Sequence, residues 1–126
     1  MRIEHVALWV RDLERMRRFY VEALGGRSGP EYVNPRTGFR SYFVAFDVGA
    51  RIELMTGLAV SEPPAGPAFG YVHLALSLGS REGVDALTAE LRARGVEVTG
   101  EPRVTGDGYY ESQIADPEGN LIELTV

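Results

Sequence analysis

Ile3–Val10 reads as a strand, with the apolar Val6, Leu8 and Val10 two apart along one covered face. From Leu13 to Leu24 the spacing changes. Leu13, Met16, Phe19, Tyr20, Ala23 and Leu24 recur every three to four positions and predict a helix. Asp12 can cap its start by accepting backbone N–H bonds, and Gly25 follows its last turn. Ser41–Asp47 and Arg51–Thr56 read as strands, with a weaker one near Arg27–Val33 and a turn at Asn34-Pro35-Arg36-Thr37-Gly38.

Ser61-Glu62-Pro63-Pro64-Ala65-Gly66-Pro67 holds three prolines in seven residues, which neither a helix nor a central strand tolerates. It reads as a linker, and after it the order restarts. Tyr71–Leu78 is a predicted strand. A helix capped by Ser80 runs through Arg94, with Val84, Leu87 and Leu91 inward and Gly95 at its end. Short strands follow near Val96–Thr99, Tyr109–Ala115 and Asn120–Val126, the last two joined by the turn Asp116-Pro117-Glu118-Gly119-Asn120. Gly106–Ser112 reads either as a mobile loop over a pocket or as a simple turn opening into the first of these two strands. The chain is therefore α+β, with a βαβββ module over 1–60, a Pro/Gly-rich linker over 61–70 and a second βαβββ module over 71–126. A repeat of this length is a duplicated module rather than a solenoid unit.

Strand parity then isolates four polar residues. Val6, Leu8 and Val10 oppose His5, Ala7 and Trp9; Ile52 and Leu54 oppose Arg51, Glu53 and Met55. In the second half, Val72, Leu74 and Leu76 oppose Tyr71, His73 and Ala75, while Ile122 and Leu124 oppose Leu121, Glu123 and Thr125. Each strand has one apolar face, assigned to packing under the helices, and carries one His or Glu on the other. Residues 5 and 73 are 68 positions apart, and residues 53 and 123 are 70 apart. The only two histidines thus occupy equivalent places in the repeat. Glutamate is a poor strand residue, and a buried unpaired carboxylate is costly. A divalent cation answers both problems, since two carboxylates and two neutral imidazoles suit first-row metals. By the same parity Trp9, Arg51, Met55 and Tyr71 share the ligand face and are candidate substrate-binding residues.

Composition narrows the chemistry. The 126 residues contain no cysteine, so disulfides, thiolate metal sites and a cysteine nucleophile are excluded. A formal charge of −5 gives no footprint for nucleic acid. Arg15, Arg17 and Arg18 lie beside Glu14 and Glu22 and read as a solvated helix face. No signal-peptide core or membrane-length apolar run is seen, so a cytoplasmic location is the expectation.

Four segments carry a family resemblance: Ile3-Glu4-His5-Val6-Ala7, Arg51-Ile52-Glu53-Leu54, Tyr71-Val72-His73-Leu74-Ala75 and Asp116-Pro117-Glu118-Gly119-Asn120-Leu121-Ile122-Glu123-Leu124. Along essentially its whole length the chain resembles the vicinal oxygen chelate superfamily, which groups glyoxalases, bleomycin-resistance proteins and extradiol dioxygenases. The resemblance implies two βαβββ modules whose curved mixed sheets enclose a metal cavity, and a homodimer. The order His, Glu, His, Glu is similar to glyoxalase I. It implies that His5, Glu53, His73 and Glu123 hold one divalent ion, with nickel, cobalt, zinc, manganese and iron all admissible.

The activity implied is that of a lactoylglutathione lyase-like metalloenzyme. The ion stabilises an enediolate-like oxyanion while a glutamate moves a proton between adjacent carbons of a small substrate, Glu123 first and Glu53 as its counterpart. The glutathione-dependent members that this chain resembles carry arginine four residues after the first ligand and asparagine four after the second. Here those positions are Trp9 and Gly57, a pattern that argues against efficient glutathione use. The alternatives are another metalloenzyme of the superfamily (an epimerase, thiol transferase or dioxygenase) or a bleomycin-resistance-like ligand-binding protein.

Overall fold

The computed structural model describes residues 1–58, 60–61 and 70–126. The linker expected over 61–70 lies outside these residues, apart from Ser61 and Gly70. The chain divides into two compact units, Met1–Gly66 and Pro67–Val126. Each is a mixed sheet carrying one helical segment, so the α+β expectation holds.

In the first unit the order is β1 (His5–Trp9), α1 (Leu13–Arg18), a π-helical turn (Phe19–Ala23), β2 (Arg27–Ser28), β3 (Tyr32–Val33), β4 (Arg40–Ala45) and β5 (Arg51–Thr56). The weak strand near Arg27–Val33 is thus two short ones. β1 lies parallel to β5, and β5, β4 and β2 continue the sheet antiparallel, with β3 also on β4. Asp12 caps α1 as expected, accepting from the Arg15 amide at 2.9 Å. The helix does not run regularly to Leu24. Its last turn widens to i→i+5 bonding, with the Leu24 amide donating to the Phe19 carbonyl at 3.3 Å. Leu13, Met16 and Tyr20 are buried, as are Val44, Ile52 and Leu54 of the sheet on which α1 packs. Each such side chain removed from water contributes roughly 1.5–3 kcal/mol.

The second unit runs β6 (His73–Ser77), α2 (Arg81–Ala93), β7 (Val98–Val104), β8 (Tyr110–Ala115) and β9 (Leu121–Thr125). The sheet order is β6-β9-β8-β7, with β6 parallel to β9. Ser80 caps α2 through a 3.0 Å bond from the Gly83 amide. Val84 and Leu91 are buried as expected, but the third buried residue of α2 is Thr88, not Leu87. Thr88 is satisfied locally. Its hydroxyl donates to the Val84 carbonyl and accepts from Ser112 of β8, both at 2.6 Å. Two strand expectations need correction. β6 begins at His73, leaving Tyr71 and Val72 exposed ahead of it. β7 extends to Val104 instead of ending at Thr99. Gly100 and Pro102 disguise it in the sequence. Both are tolerated because β7 is an edge strand with register shifts between Val98 and Arg103.

One helix-to-sheet link has a pH signature. Glu14 of α1 accepts a 2.6 Å bond from the Tyr42 hydroxyl of β4 and a 3.1 Å bond from Arg17. The Tyr42 bond, with Arg17 behind it, holds the Glu14 carboxyl below its ordinary value of 4.5. The same bond raises the Tyr42 phenol above 10.0. A depressed carboxylate contributes stability above its unfolded pKa that is lost as pH falls through the folded one. A raised phenol contributes stability below its unfolded pKa that is lost as pH rises through the folded one. Tyr42→Phe is therefore expected to lower the urea midpoint between pH 4.5 and 10.0, with a gap from wild type that closes on further acidification. A gap of constant size down to pH 3 would assign the effect to packing instead.

Candidate metal centre

The two units place their His and Glu residues in the same register. In the first, Ala7 of β1 faces Glu53 of β5, with His5 two residues earlier on the same side. In the second, Ala75 of β6 faces Glu123 of β9, with His73 two residues earlier. Each histidine is thus the diagonal neighbour of its glutamate across a parallel strand pair, within reach of long side chains. An alanine between them leaves the space open. His5 Nε2 lies 3.8 Å from Glu53 Oε2, and His73 Nε2 lies 3.2 Å from Glu123 Oε2. The glutamate side chains are only 16% and 15% exposed, while the imidazoles are 40% and 38% exposed. Carboxylates recessed behind accessible imidazoles face the side of the sheet opposite the helix.

The surroundings of the two pairs differ. Glu4 accepts from His5 Nδ1 at 2.5 Å and is itself bound by Arg51. The bond to His5, reinforced by Arg51, holds the Glu4 carboxyl below its ordinary 4.5. The guanidinium of Arg51 stacks 4.1 Å over the ring of Phe43, which meets the His5 ring edge-on at 5.4 Å. Glu4, Arg51 and Phe43 thus orient His5 so that Nε2 faces Glu53, an outer-shell arrangement that fixes the tautomer of a metal-binding imidazole. Arg51, expected to meet substrate, already has these two partners. In the second unit Gln113 of β8 donates to Glu123 Oε1 at 3.1 Å. Neither Glu4 nor Gln113 was singled out in the sequence, although both had a signal. Glu4 adjoins His5, and the turn at 116–120 pairs position 113 with 123.

Trp9 and Met55 pair across β1 and β5 on the ligand side. Tyr71 precedes β6 and is fully exposed, so strand parity does not fix its direction. A cavity of about 430 Å³ opens at the end of β1 and β5, lined by Trp9, Thr37, Phe39, Gly57, Leu58 and Val60 among others. Its walls are mostly apolar, with Trp9 and Phe39 in edge-to-face contact at 6.1 Å. The Gly106 region forms a tight turn in which Thr105 binds Asp107 and Tyr109.

The donor set suits a divalent cation. Two ligand atoms held cis at about 2.1 Å from one ion stand about 3.0 Å apart. The 3.2 Å of the His73–Glu123 pair is close to that spacing and the 3.8 Å of the His5–Glu53 pair is wider. Among the described residues no three His, Asp or Glu side chains form a metal-binding group, and each unit contributes one His–Glu pair. No helix among the described residues is long and apolar enough to cross a membrane.

Residues 2–124 match the family model of the Glyoxalase/Bleomycin resistance protein/Dioxygenase superfamily. The chain is 32% identical to a lactoylglutathione lyase of Haemophilus influenzae over 98% of its own length and 91% of that protein's. It is also 32% identical to lactoylglutathione lyase GLX1 of Arabidopsis thaliana, of which it spans 43%. Among solved structures, a glyoxalase I variant from Zea mays superimposes with a TM-score of 0.82 at 26% identity, covering 98% of this chain and 44% of the maize one. The chain spans less than half the length of the two plant proteins. With the family model matched nearly end to end and a bacterial relative matched over most of both lengths, this chain belongs to the glyoxalase/bleomycin resistance protein/dioxygenase superfamily.

Proposed function

We propose that the protein is a glyoxalase-type, metal-dependent lyase or isomerase that moves a proton between adjacent carbons of a small substrate. The observation that carries this reading is the duplicated His–Glu pair, in one register and with recessed carboxylates in both units. His5, Glu53, His73 and Glu123 are the residues that would hold the ion. When bound, a divalent cation supplies Lewis-acid polarisation of a substrate carbonyl or hydroxyl. The glutamates supply the proton carrier. One carboxylate takes the proton from the carbon next to the carbonyl and returns it to the neighbouring carbon. The carbonyl and hydroxyl exchange places, and no external oxidant or reductant is consumed.

Glutathione is disfavoured as the thiol partner. Trp9 and Gly57, at the positions where glutathione-dependent members carry arginine and asparagine, both line the apolar cavity and offer no charge to a carboxylate. The cavity instead suits an uncharged aryl or alkyl group. The test is turnover of phenylglyoxal hemithioacetals in deuterated water, formed either with 2-mercaptoethanol or with glutathione. Faster conversion of the uncharged thioacetal is expected, with solvent deuterium entering the product beside the thioester. Oxygen uptake coupled to substrate loss, or conversion of neither compound, would overturn the reading.

The cavity assignment carries its own prediction. Among the described residues a Cβ at Gly57 would meet Phe39 Cα and Trp9 Cζ3 at 4.0 Å, ordinary contact distance, so these two leave room for a side chain. Trp9→Arg combined with Gly57→Asn is expected to raise kcat/KM for the glutathione substrate about tenfold, the worth of one charged hydrogen bond. An unchanged ratio between the two thiols would show that the cavity does not receive the thiol portion.

A further inference from the structure

The two His–Glu pairs are equivalent in register but not in how their carboxylates are held. The strand beyond each glutamate is antiparallel, and its facing residue is Phe43 in the first unit and Gln113 in the second. Phe43 has no polar atom on its ring and packs against His5. Gln113 is an amide of the right reach and donates through Nε2 to Glu123 Oε1. That bond leaves Oε2, the oxygen 3.2 Å from His73 Nε2, turned toward the imidazole. Among the described residues Glu53 has no such tether, and its Oε2 stands farther from its histidine, at 3.8 Å. The seat of Gln113 is itself built into the sheet. Gly100 of β7 faces it, and a Cβ there would come within 3.2 Å of Gln113 Cβ and 3.4 Å of its Oε1. A larger residue at 100 would crowd the amide out of line.

We propose that Gln113 is a positioning residue that pins Glu123 as the fixed carboxylate ligand, leaving Glu53 as the carboxylate free to exchange. The inference rests on the metal-site reading above. It makes the His73–Glu123 pair the preformed one of the two, since its carboxylate is already held. The His5–Glu53 pair keeps its imidazole fixed through Glu4 but its carboxylate loose. A loose carboxylate can detach without dismantling the centre, so the order of the two glutamates is the reverse of the one that the family resemblance implies.

The test needs no substrate. Metal-free protein is titrated with Co²⁺ and followed by its visible absorption, alongside the thermal midpoint of the metal-free form. Gln113→Met keeps the volume and removes the donor. It is expected to leave the metal-free midpoint unchanged and to weaken Co²⁺ binding about tenfold, as losses around a metal ligand do. Glu53→Gln is expected to retain one Co²⁺ per chain and to lose less affinity than Glu123→Gln. Wild-type affinity in Gln113→Met, or equal losses in the two glutamine variants, overturns this inference alone, provided that His5→Ala and His73→Ala still impair binding. Absence of Co²⁺ binding by the wild-type protein overturns the metal-site reading and this inference with it.

Discussion

Replacing His73 with alanine is expected to lower divalent-metal affinity more than about a hundredfold, since even the groups behind a ligand account for ten- to a hundredfold. The same holds for Glu123→Ala, whereas His5→Ala and Glu53→Ala are expected to fall short of that loss while still weakening binding. The order follows from the geometry. Removing a member of the 3.2 Å pair destroys the pair already set at cis-ligand spacing, while removing a member of the 3.8 Å pair leaves that pair intact. The measurement is metal per chain after purification without chelator, followed by a Co²⁺ titration of stripped protein. His73 is 38% exposed, so its truncation leaves the fold intact and the loss is read against an unchanged metal-free midpoint. Metal content equal to wild type in His73→Ala and Glu123→Ala would remove both residues from the centre.

Much of the fold, and the sheet face that each of the four His and Glu residues occupies, is legible in the sequence. Period-two alternation gave β5 its bounds at Arg51–Thr56, and strand parity put His5, Glu53, His73 and Glu123 opposite the helix-packing faces. Parity succeeds because it depends only on the local pleat. What it does not carry is register between strands and the partners that register brings. Phe43 and Gln113 decide how the two pairs differ, yet each acts across a strand boundary. The Gln113–Glu123 pairing was recoverable, because a turn closed between residues 116 and 120 sets 115 against 121 and 113 against 123. Tyr71 lies outside the reach of parity, because β6 starts only at His73. The length of β7 was hidden because an edge strand accepts the glycine and proline that normally end one. Thr88 escaped because helical periodicity scores polarity, and a threonine that bonds its own helix and Ser112 behaves as a core residue.

The second large effect belongs to the turn that fixes this register. Asp116 is 4% exposed, and its carboxylate accepts three bonds of 2.9 Å, from the amides of Glu118 and Asn120 and from the side-chain amide of Asn120. Its own amide donates to the Asn120 carbonyl, and its carbonyl accepts from Gly119. Gly119 sits at φ +85°, a conformation that an L side chain rarely adopts. Within Asp116-Pro117-Glu118-Gly119-Asn120, the aspartate, glycine and asparagine therefore build the turn. Asp116→Ala leaves several donors without their charged acceptor in a largely covered site, each worth roughly 1–3 kcal/mol and not additive. A loss of about 3 kcal/mol is expected, which for a chain of this size lowers the thermal midpoint by about 10 °C. Asp116→Asn keeps one acceptor oxygen and is expected to lose about half as much. Because the turn sets Gln113 against Glu123, Asp116→Ala is also expected to weaken Co²⁺ binding at temperatures where the protein is still folded. Undiminished binding alongside a lowered midpoint would mean that β8 and β9 hold their register without the turn, by side-chain packing of Ile114 and Ile122 alone.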